Sequence, residues 1–487
     1  MTDFALPPSA HFINGEWNSS SSATTYDVKN PADGSTLGTI PCADLPIVDH
    51  AVQSAKRALI NKAWSDMPPL ERGMLMNRLA DLISANAEKL ATVESLDNGK
   101  PIAFSRTLDI PLCAMWFRYF AGWTSKISGQ NLQPSLQSGG SFHCYTRKEP
   151  VGVVAAIVPW NFPLVLAVWK IAPALAAGCT VVLKPAEDTP YSALMLAELA
   201  VEAGFPPGVL NVVLGQGDTG RLLVEHEGIN KISFTGSTQT GKAILRAAAN
   251  DLKRITLELG GKSPTIIMPD ANMDLAIPGA TQAIFVNSGQ ICFAGSRLIV
   301  PRKSMNQIID GVSTVASTLK VGPSLDPETL MGPVINQKQL SSILEKIEMS
   351  ISQGAALVQG GNRIGSCGYF LEPTILVTED RNNTAFKDEF FGPVLTVTPY
   401  DDIDDIADIA NDSYYGLAAH IFTENLGTAH KLAAKVNAGT IWVNTQLNPD
   451  PNIPFGGFKQ SGWGRENGEE VLSSYTETKS VIMYLGS

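Results

Sequence analysis

Val151-Gly-Val-Val-Ala-Ala-Ile-Val158 is an unbroken apolar run, stopped by Pro159-Trp-Asn-Phe-Pro163. Such a run, without polar alternation, is expected of a strand covered on both faces, as in a parallel sheet. Downstream lie a helix-like stretch at 164–177, then Thr180-Val-Val-Leu183, and a helical pattern at 193–203. Val209-Leu-Asn-Val-Val213, a helix near 221–224, Lys231-Ile-Ser-Phe234 and a helix from Gly241 continue the series. This alternation predicts a doubly wound α/β sheet that binds its ligand at the carboxyl ends of its strands. It restarts with Ser263-Pro-Thr-Ile-Ile-Met268 and runs to about Val443, predicting a second α/β domain.

Upstream, Phe12-Ile-Asn-Gly-Glu-Trp17 reads as a hairpin with Asn-Gly at its turn. Residues 45–96 carry helical periodicity, which Asn98-Gly-Lys-Pro101 breaks. Ser19-Ser-Ser-Ser22 reads as an exposed loop tip. Lys479-Ser-Val-Ile-Met-Tyr-Leu485 has the character of a lone strand without a local partner, of the kind that joins a distant sheet edge or another subunit.

The chain has 487 residues, too many for one ordinary core, so two or three domains are expected. Its net charge of −11, with no Lys/Arg run, argues against a nucleic-acid partner. No apolar stretch is long enough to span a bilayer, and no secretory leader pattern opens the chain. Cys42, Cys113, Cys144, Cys179, Cys292 and Cys367 are scattered, without a Cys-x-x-Cys pair, which fits a reducing compartment and a cytoplasmic location. His226-Glu227 is not followed by the rest of a His-Glu-x-x-His motif, so no metal site is expected.

Chemistry concentrates on glycine-flanked turns. Cys292 lies in Gly289-Gln-Ile-Cys-Phe-Ala-Gly-Ser-Arg297 and Glu258 opens Glu258-Leu-Gly-Gly-Lys262. A soft nucleophile and a carboxylate base on such loops suit covalent attack at a carbonyl carbon, although a lone Cys is more often a packed small hydrophobe. Gly215-Gln-Gly217-Asp-Thr-Gly220 matches the dinucleotide fingerprint in a strand-to-helix context. Phe234-Thr-Gly236-Ser237-Thr-Gln-Thr-Gly241 offers a second phosphate turn, with the hydroxyls of Ser237 and Thr238 and free N–H groups. Lys184 and Glu187 follow a strand end, where a carboxylate can accept ribose hydroxyls and repel a 2′-phosphate.

With these motifs in order, the chain resembles the NAD(P)-dependent aldehyde dehydrogenases over essentially its whole length. The matching segments are Pro159-Trp-Asn-Phe-Pro163, Lys184-Pro-Ala-Glu187, Phe234-Thr-Gly-Ser-Thr238 and Glu258-Leu-Gly-Gly-Lys262. Gly289-Gln-Ile-Cys292, Glu389-Phe-Phe-Gly-Pro-Val394 and Pro454-Phe-Gly-Gly-Phe-Lys459 complete the set. The resemblance implies Cys292 as nucleophile, Asn161 with the Cys292 N–H as oxyanion donors, and Glu258 as the base that activates water. It implies NAD, with NADP possible, held by Trp160, Lys184, Glu187, Gly217, Gly236, Ser237, Gly241, Glu389 and Phe391. The pyrophosphate then belongs near Gly236-Ser237, with Gly217 and Gly220 nearer the adenosine. Lys170 and Glu466 match a pair that either relays protons or is structural.

The same resemblance implies a cofactor domain (1–127 and 151–261), a catalytic domain (262–460) and a small β oligomerisation arm (128–150 and 470–487). A homotetramer, or a dimer, is expected, the terminal strand extending a neighbour's sheet. Phe162, Val165, Leu166, Trp169, Val286, Ile291, Phe293 and Phe455 match the substrate tunnel, and none is charged. An unpaired buried carboxylate costs several kcal/mol, so these walls suit an apolar aldehyde, in character nearest to that of phenylacetaldehyde-type members. The loop Gln446-Leu-Asn-Pro-Asp-Pro-Asn452 is placed at the tunnel entrance. Two alternatives remain, a CoA-acylating enzyme and a catalytically silent, crystallin-like member. Glu258 opposes the first, and Cys292, Glu258 and Asn161 together oppose the second.

Overall fold

A computed structural model describes residues 6–19, 24–135 and 139–486. Ser20–Ser22 of the expected loop tip lie outside them. Val153–Ile157 is a fully buried strand, as its composition requires. It belongs to an eight-stranded sheet with five parallel strands: Arg254–Glu258, Lys231–Thr235, Val153–Ile157, Thr180–Lys184 and Leu210–Val212. Winding starts at Val153–Ile157 and proceeds outward to Leu210–Val212, then returns to add Lys231–Thr235 and Arg254–Glu258 on the other side. The order therefore reverses between Val153–Ile157 and Lys231–Thr235, and a crevice opens at their carboxyl ends.

The hairpin His11–Ile13/Glu16–Asn18 extends this sheet antiparallel, its turn made by Asn14 and Gly15 at φ of 58° and 81°. Gly462–Trp463 closes the opposite edge from late in the sequence. The periodic region 45–96 forms four helices, Leu45–Ile60, Lys62–Ser65, Pro69–Ala85 and Ala87–Asn98, and Gly99 ends the last in the left-handed conformation.

The second sheet has seven strands, in the order Ala356–Gln359, Thr374–Val377, Val394–Tyr400, Arg297–Pro301, Pro264–Ile267, Ala418–Phe422 and Thr440–Val443. All its pairings are parallel except that of the edge strand Ala356–Gln359. Only five residues separate Glu258, ending a strand of the first sheet, from Pro264, opening one of the second. That short joint brings the carboxyl end of one sheet against the amino end of the other.

The terminal strand is not alone. Thr476–Gly486 pairs antiparallel with Ser141–Pro150 of the same chain, which also holds Asn131–Leu132. Its partner lies some 330 residues earlier, so no local pattern could announce it. No helix of the described residues is long and apolar enough to cross a membrane.

Candidate active site

Cys292 lies on the loop entering Arg297–Pro301, and Glu258 ends its own strand. Both line one cavity of about 220 Å³ between the two sheets. The loops meet closely: a β-carbon at Gly261 would stand 2.3 Å from the Cys292 carbonyl oxygen, so only glycine allows this approach. Of the other cysteines, four are buried and Cys367 is exposed elsewhere. Burial, and after it the charges of Glu258 and Glu389, push the Cys292 thiol well above its ordinary value. Neither Glu258 oxygen has a hydrogen-bond partner among the described residues. Burial first, and the Glu466 charge second, raise the Glu258 carboxyl well above the usual range. The nucleophile candidate thus shares its cavity with a carboxyl group of high proton affinity, which suits general-base work on a water beside it.

Asn161 does not line the cavity; it is buried behind it. Its Nδ2 donates to the Gln290 carbonyl at 2.9 Å, two residues before the nucleophile, which leaves one amide hydrogen free. Its backbone carbonyl accepts from Asn287 Nδ2 at 3.0 Å, and Asn98 Nδ2 donates to the backbone carbonyl of Trp160 at 2.5 Å. Asn98, Asn287 and Gln290 therefore brace this turn, none of which sequence reasoning had singled out.

All eight expected tunnel residues, Phe162, Val165, Leu166, Trp169, Val286, Ile291, Phe293 and Phe455, line the cavity. Gln446, Leu447 and Pro449 of the expected entrance loop join them. Phe104, Leu108 and Leu112 were missed, although their spacing of four residues signals one helical face. The walls are not free of charge, since Asp109 also lines them. Its carboxylate is paired with buried Lys100, which lies 4.3 Å from the Phe162 ring centroid. No Lys or Arg of the described residues lines the cavity. Lys170 is buried, donating to Glu466 and, at 2.8 Å, to Thr235 Oγ1; Glu466 and Thr235 both face the cavity.

A second groove, of about 510 Å³, occupies the crevice where strand order reverses. Trp160, Lys184, Glu187, Gly217, Gly220, Gly236 and Ser237 line it. Ser237 caps the helix Thr238–Ala248 by accepting from Thr240 N. Thr240 lines the groove beside Ser237, whereas Thr238 Oγ1 turns to the Gln460 carbonyl. A β-carbon at Gly217 would meet nothing within 4 Å and would project into open groove. A helix N-terminus, Lys184 and a carboxylate 3.7 Å from it therefore suit a dinucleotide.

Gly241 does not belong to this set. A β-carbon there would strike Leu259 Cδ2 at 2.5 Å, so it is a packing glycine beneath the helix. Glu389 and Phe391 lie outside the groove, toward the cavity. Glu389 accepts from Gly261 N at 2.9 Å, and the Phe391 ring stands perpendicular to Trp160 at 5.2 Å.

Residues 17–481 match the model of the aldehyde dehydrogenase family. The chain belongs to that family. It is 45% identical to phenylacetaldehyde dehydrogenase of Pseudomonas fluorescens, across 98% of this chain and 96% of the relative. Human retinal dehydrogenase 2 is 44% identical across 97% and 91% of the two chains. A Bacillus cereus aldehyde dehydrogenase solved as its NAD+ complex superimposes with a TM-score of 0.95 at 45% identity, over 98% and 96% of the chains. This aldehyde dehydrogenase is accordingly an NAD(P)-dependent oxidoreductase of α/β architecture.

Proposed function

We propose that this aldehyde dehydrogenase oxidises apolar arylalkyl aldehydes of the phenylacetaldehyde type to their acids. The observation that supports this reading is the cavity wall: the aromatic residues Phe104, Phe162, Trp169, Phe293 and Phe455 line it together with Cys292, and among the described residues no Lys or Arg lines it to pair a substrate carboxylate. Similarity to phenylacetaldehyde dehydrogenase supports it.

In this reading Cys292, its proton released to water in the cavity, attacks the aldehyde carbon as the thiolate and forms a thiohemiacetal. Its oxyanion takes the Cys292 N–H and, with the Asn161 side chain turned toward the cavity, that residue's free amide hydrogen, donors each worth about 3–4 kcal/mol to the transition state. NAD, when bound, supplies the hydride acceptor. Lys184, Glu187, Gly217, Gly236 and Ser237 hold it in the groove, and Trp160, Glu389 and Phe391 orient its reactive end. The resulting thioester is hydrolysed by water that Glu258 deprotonates, and Lys170 with Glu466 carries the proton away.

Residues 1–127 with 151–261 serve as the cofactor domain and 262–460 as the catalytic domain. Residues 128–150 and 470–487 serve as the arm of a homotetramer or dimer. On Thr476–Gly486 the second edge is unpaired among the described residues, and Ile482, Tyr484 and Leu485 are exposed. Six free thiols suit the reducing cytoplasm.

The test is kcat/KM for phenylacetaldehyde, benzaldehyde, hexanal and succinic semialdehyde, with NAD and NADP, with and without CoA. Phenylacetaldehyde with NAD is expected to lead and succinic semialdehyde to trail. Preference for succinic semialdehyde, or strict dependence on CoA, contradicts the reading.

A further inference from the structure

His420 sits in the middle of Ala418-Ala-His-Ile-Phe422, a fully buried strand whose other members are apolar. A buried imidazole there loses solvation that specific contacts must offset, so those contacts are informative. Its register partners are Thr265 on one side and Trp442 on the other, which places the three side chains on one face of the second sheet. The imidazole lies flat on the Trp442 indole, with centroids 5.2 Å apart and planes 12° apart. Its Nε2 stands 3.3 Å from the carbonyl oxygen of Phe293. A carbonyl only accepts, so Nε2 carries the proton in that bond. Burial, opposed only by this bond, lowers the imidazole pKa to about 4, and the ring is neutral near pH 7.

Phe293 directly follows the nucleophile, and its loop is pressed onto the same sheet face. A β-carbon at Gly295 would fall 2.1 Å from Thr265 Oγ1 and 3.3 Å from His420 Cδ2. From Trp442 ring contacts run to Phe293 at 5.5 Å, on to Phe455 at 5.4 Å and to Trp169 at 5.4 Å. The last three rings line the cavity. One side chain therefore grips the backbone beside the nucleophile and buttresses the aromatic wall, without itself reaching the cavity.

We propose that His420 is a positioning residue, whose Nε2–H holds the Phe293 carbonyl and thereby fixes the Cys292 sulfur and the Phe293 ring toward an apolar aldehyde. This rests on the reading of Cys292 as nucleophile. Losing the bond lets the loop relax away from the attack position, so the effect falls on kcat and on thiol reactivity, and NAD affinity is spared.

The test compares H420Q, H420N and H420F with the unchanged enzyme. Gln carries an N–H donor to about the place of Nε2, Asn is one methylene too short, and Phe keeps the ring without the donor. Three quantities are measured: kcat with phenylacetaldehyde and NAD, the rate of Cys292 alkylation by iodoacetamide without aldehyde (C292A as blank), and the Kd of NAD. H420F and H420N are expected to lose about tenfold in kcat and in alkylation rate, with the Kd of NAD within about twofold. H420Q is expected to recover most of both rates. Unchanged alkylation in H420F and H420N, or equal impairment of H420Q and H420F, overturns the proposal. An enzyme that oxidises no aldehyde, yet shows slowed alkylation in H420F and recovery in H420Q, fails the functional reading and upholds this one.

Discussion

Glu466 lines the same cavity as Glu258, and its negative charge adds to burial in raising the Glu258 carboxyl well above the usual carboxylate range. A base in that state works only once deprotonated. The steady-state rate is therefore expected to rise with pH, with its acid limb well above the 4.5 of an ordinary Glu. In E258Q that limb disappears, and a burst of NADH precedes slow turnover. A pH–rate profile for both enzymes checks this; a uniform slowing of E258Q without a burst counts against Glu258 acting in deacylation.

Lys170 and Glu466 form a fully buried pair. Removing one partner leaves an uncompensated charge, which costs about 3–5 kcal/mol. K170M is therefore expected to lower the urea midpoint sharply. The double variant K170M/E466L removes both charges and is expected to regain most of that stability while hydrolysis of the thioester remains slow. If turnover returns together with stability, the pair is structural and no relay.

Glu187 lies 3.7 Å from Lys184 Nζ in the cofactor groove. Replacing it by serine removes the charge that repels a 2′-phosphate and frees the lysine. E187S is expected to raise kcat/KM for NADP relative to NAD by about tenfold or more. An unchanged ratio places the discrimination elsewhere.

His11 is fully buried, and its Nδ1 accepts from Leu214 N at 3.0 Å. Burial lowers its pKa from 6.5 to about 4, against the opposing charge of Asp44. Above pH 6.5 both folded and unfolded forms are neutral, and the contribution is complete. As pH falls from 6.5 toward 4 the unfolded chain takes up a proton that the native ring refuses, so stability is lost. The full loss approaches about 3 kcal/mol. H11N, whose carbonyl can take the place of Nδ1, is expected to show less of this loss when urea midpoints at pH 7 and pH 4.5 are compared. Parallel losses in both proteins would contradict it.

The legible parts of the molecule are those whose cause is local. Val153–Ile157 is announced by a run buried on both faces, and the Asn14-Gly15 turn by two residues that tolerate positive φ. That eight named residues line one cavity is legible through the family resemblance. The strand around Lys479–Leu485 is legible too, but its pairing with Ser141–Pro150 is not, because that partner is remote. Gly241 shows a different limit: a glycine beside a phosphate turn can admit a ligand or a leucine, and only the position of Leu259 decides. Asp109 was hidden because its pairing with Lys100 spans an irregular π-helical turn at Ser105–Asp109. His420, the single polar residue between apolar neighbours, carried a signal that periodicity alone does not interpret.

In the proposed reaction the substrate acyl group is covalently attached to Cys292 and released by Glu258-activated water. Intact-protein mass spectrometry of E258Q, mixed with phenylacetaldehyde and NAD and quenched in acid, tests it most directly. One acyl group per chain is expected, mapped to the peptide containing Cys292 and absent from C292A. An unmodified E258Q chain during NADH formation, or an adduct that persists in C292A, would contradict the account.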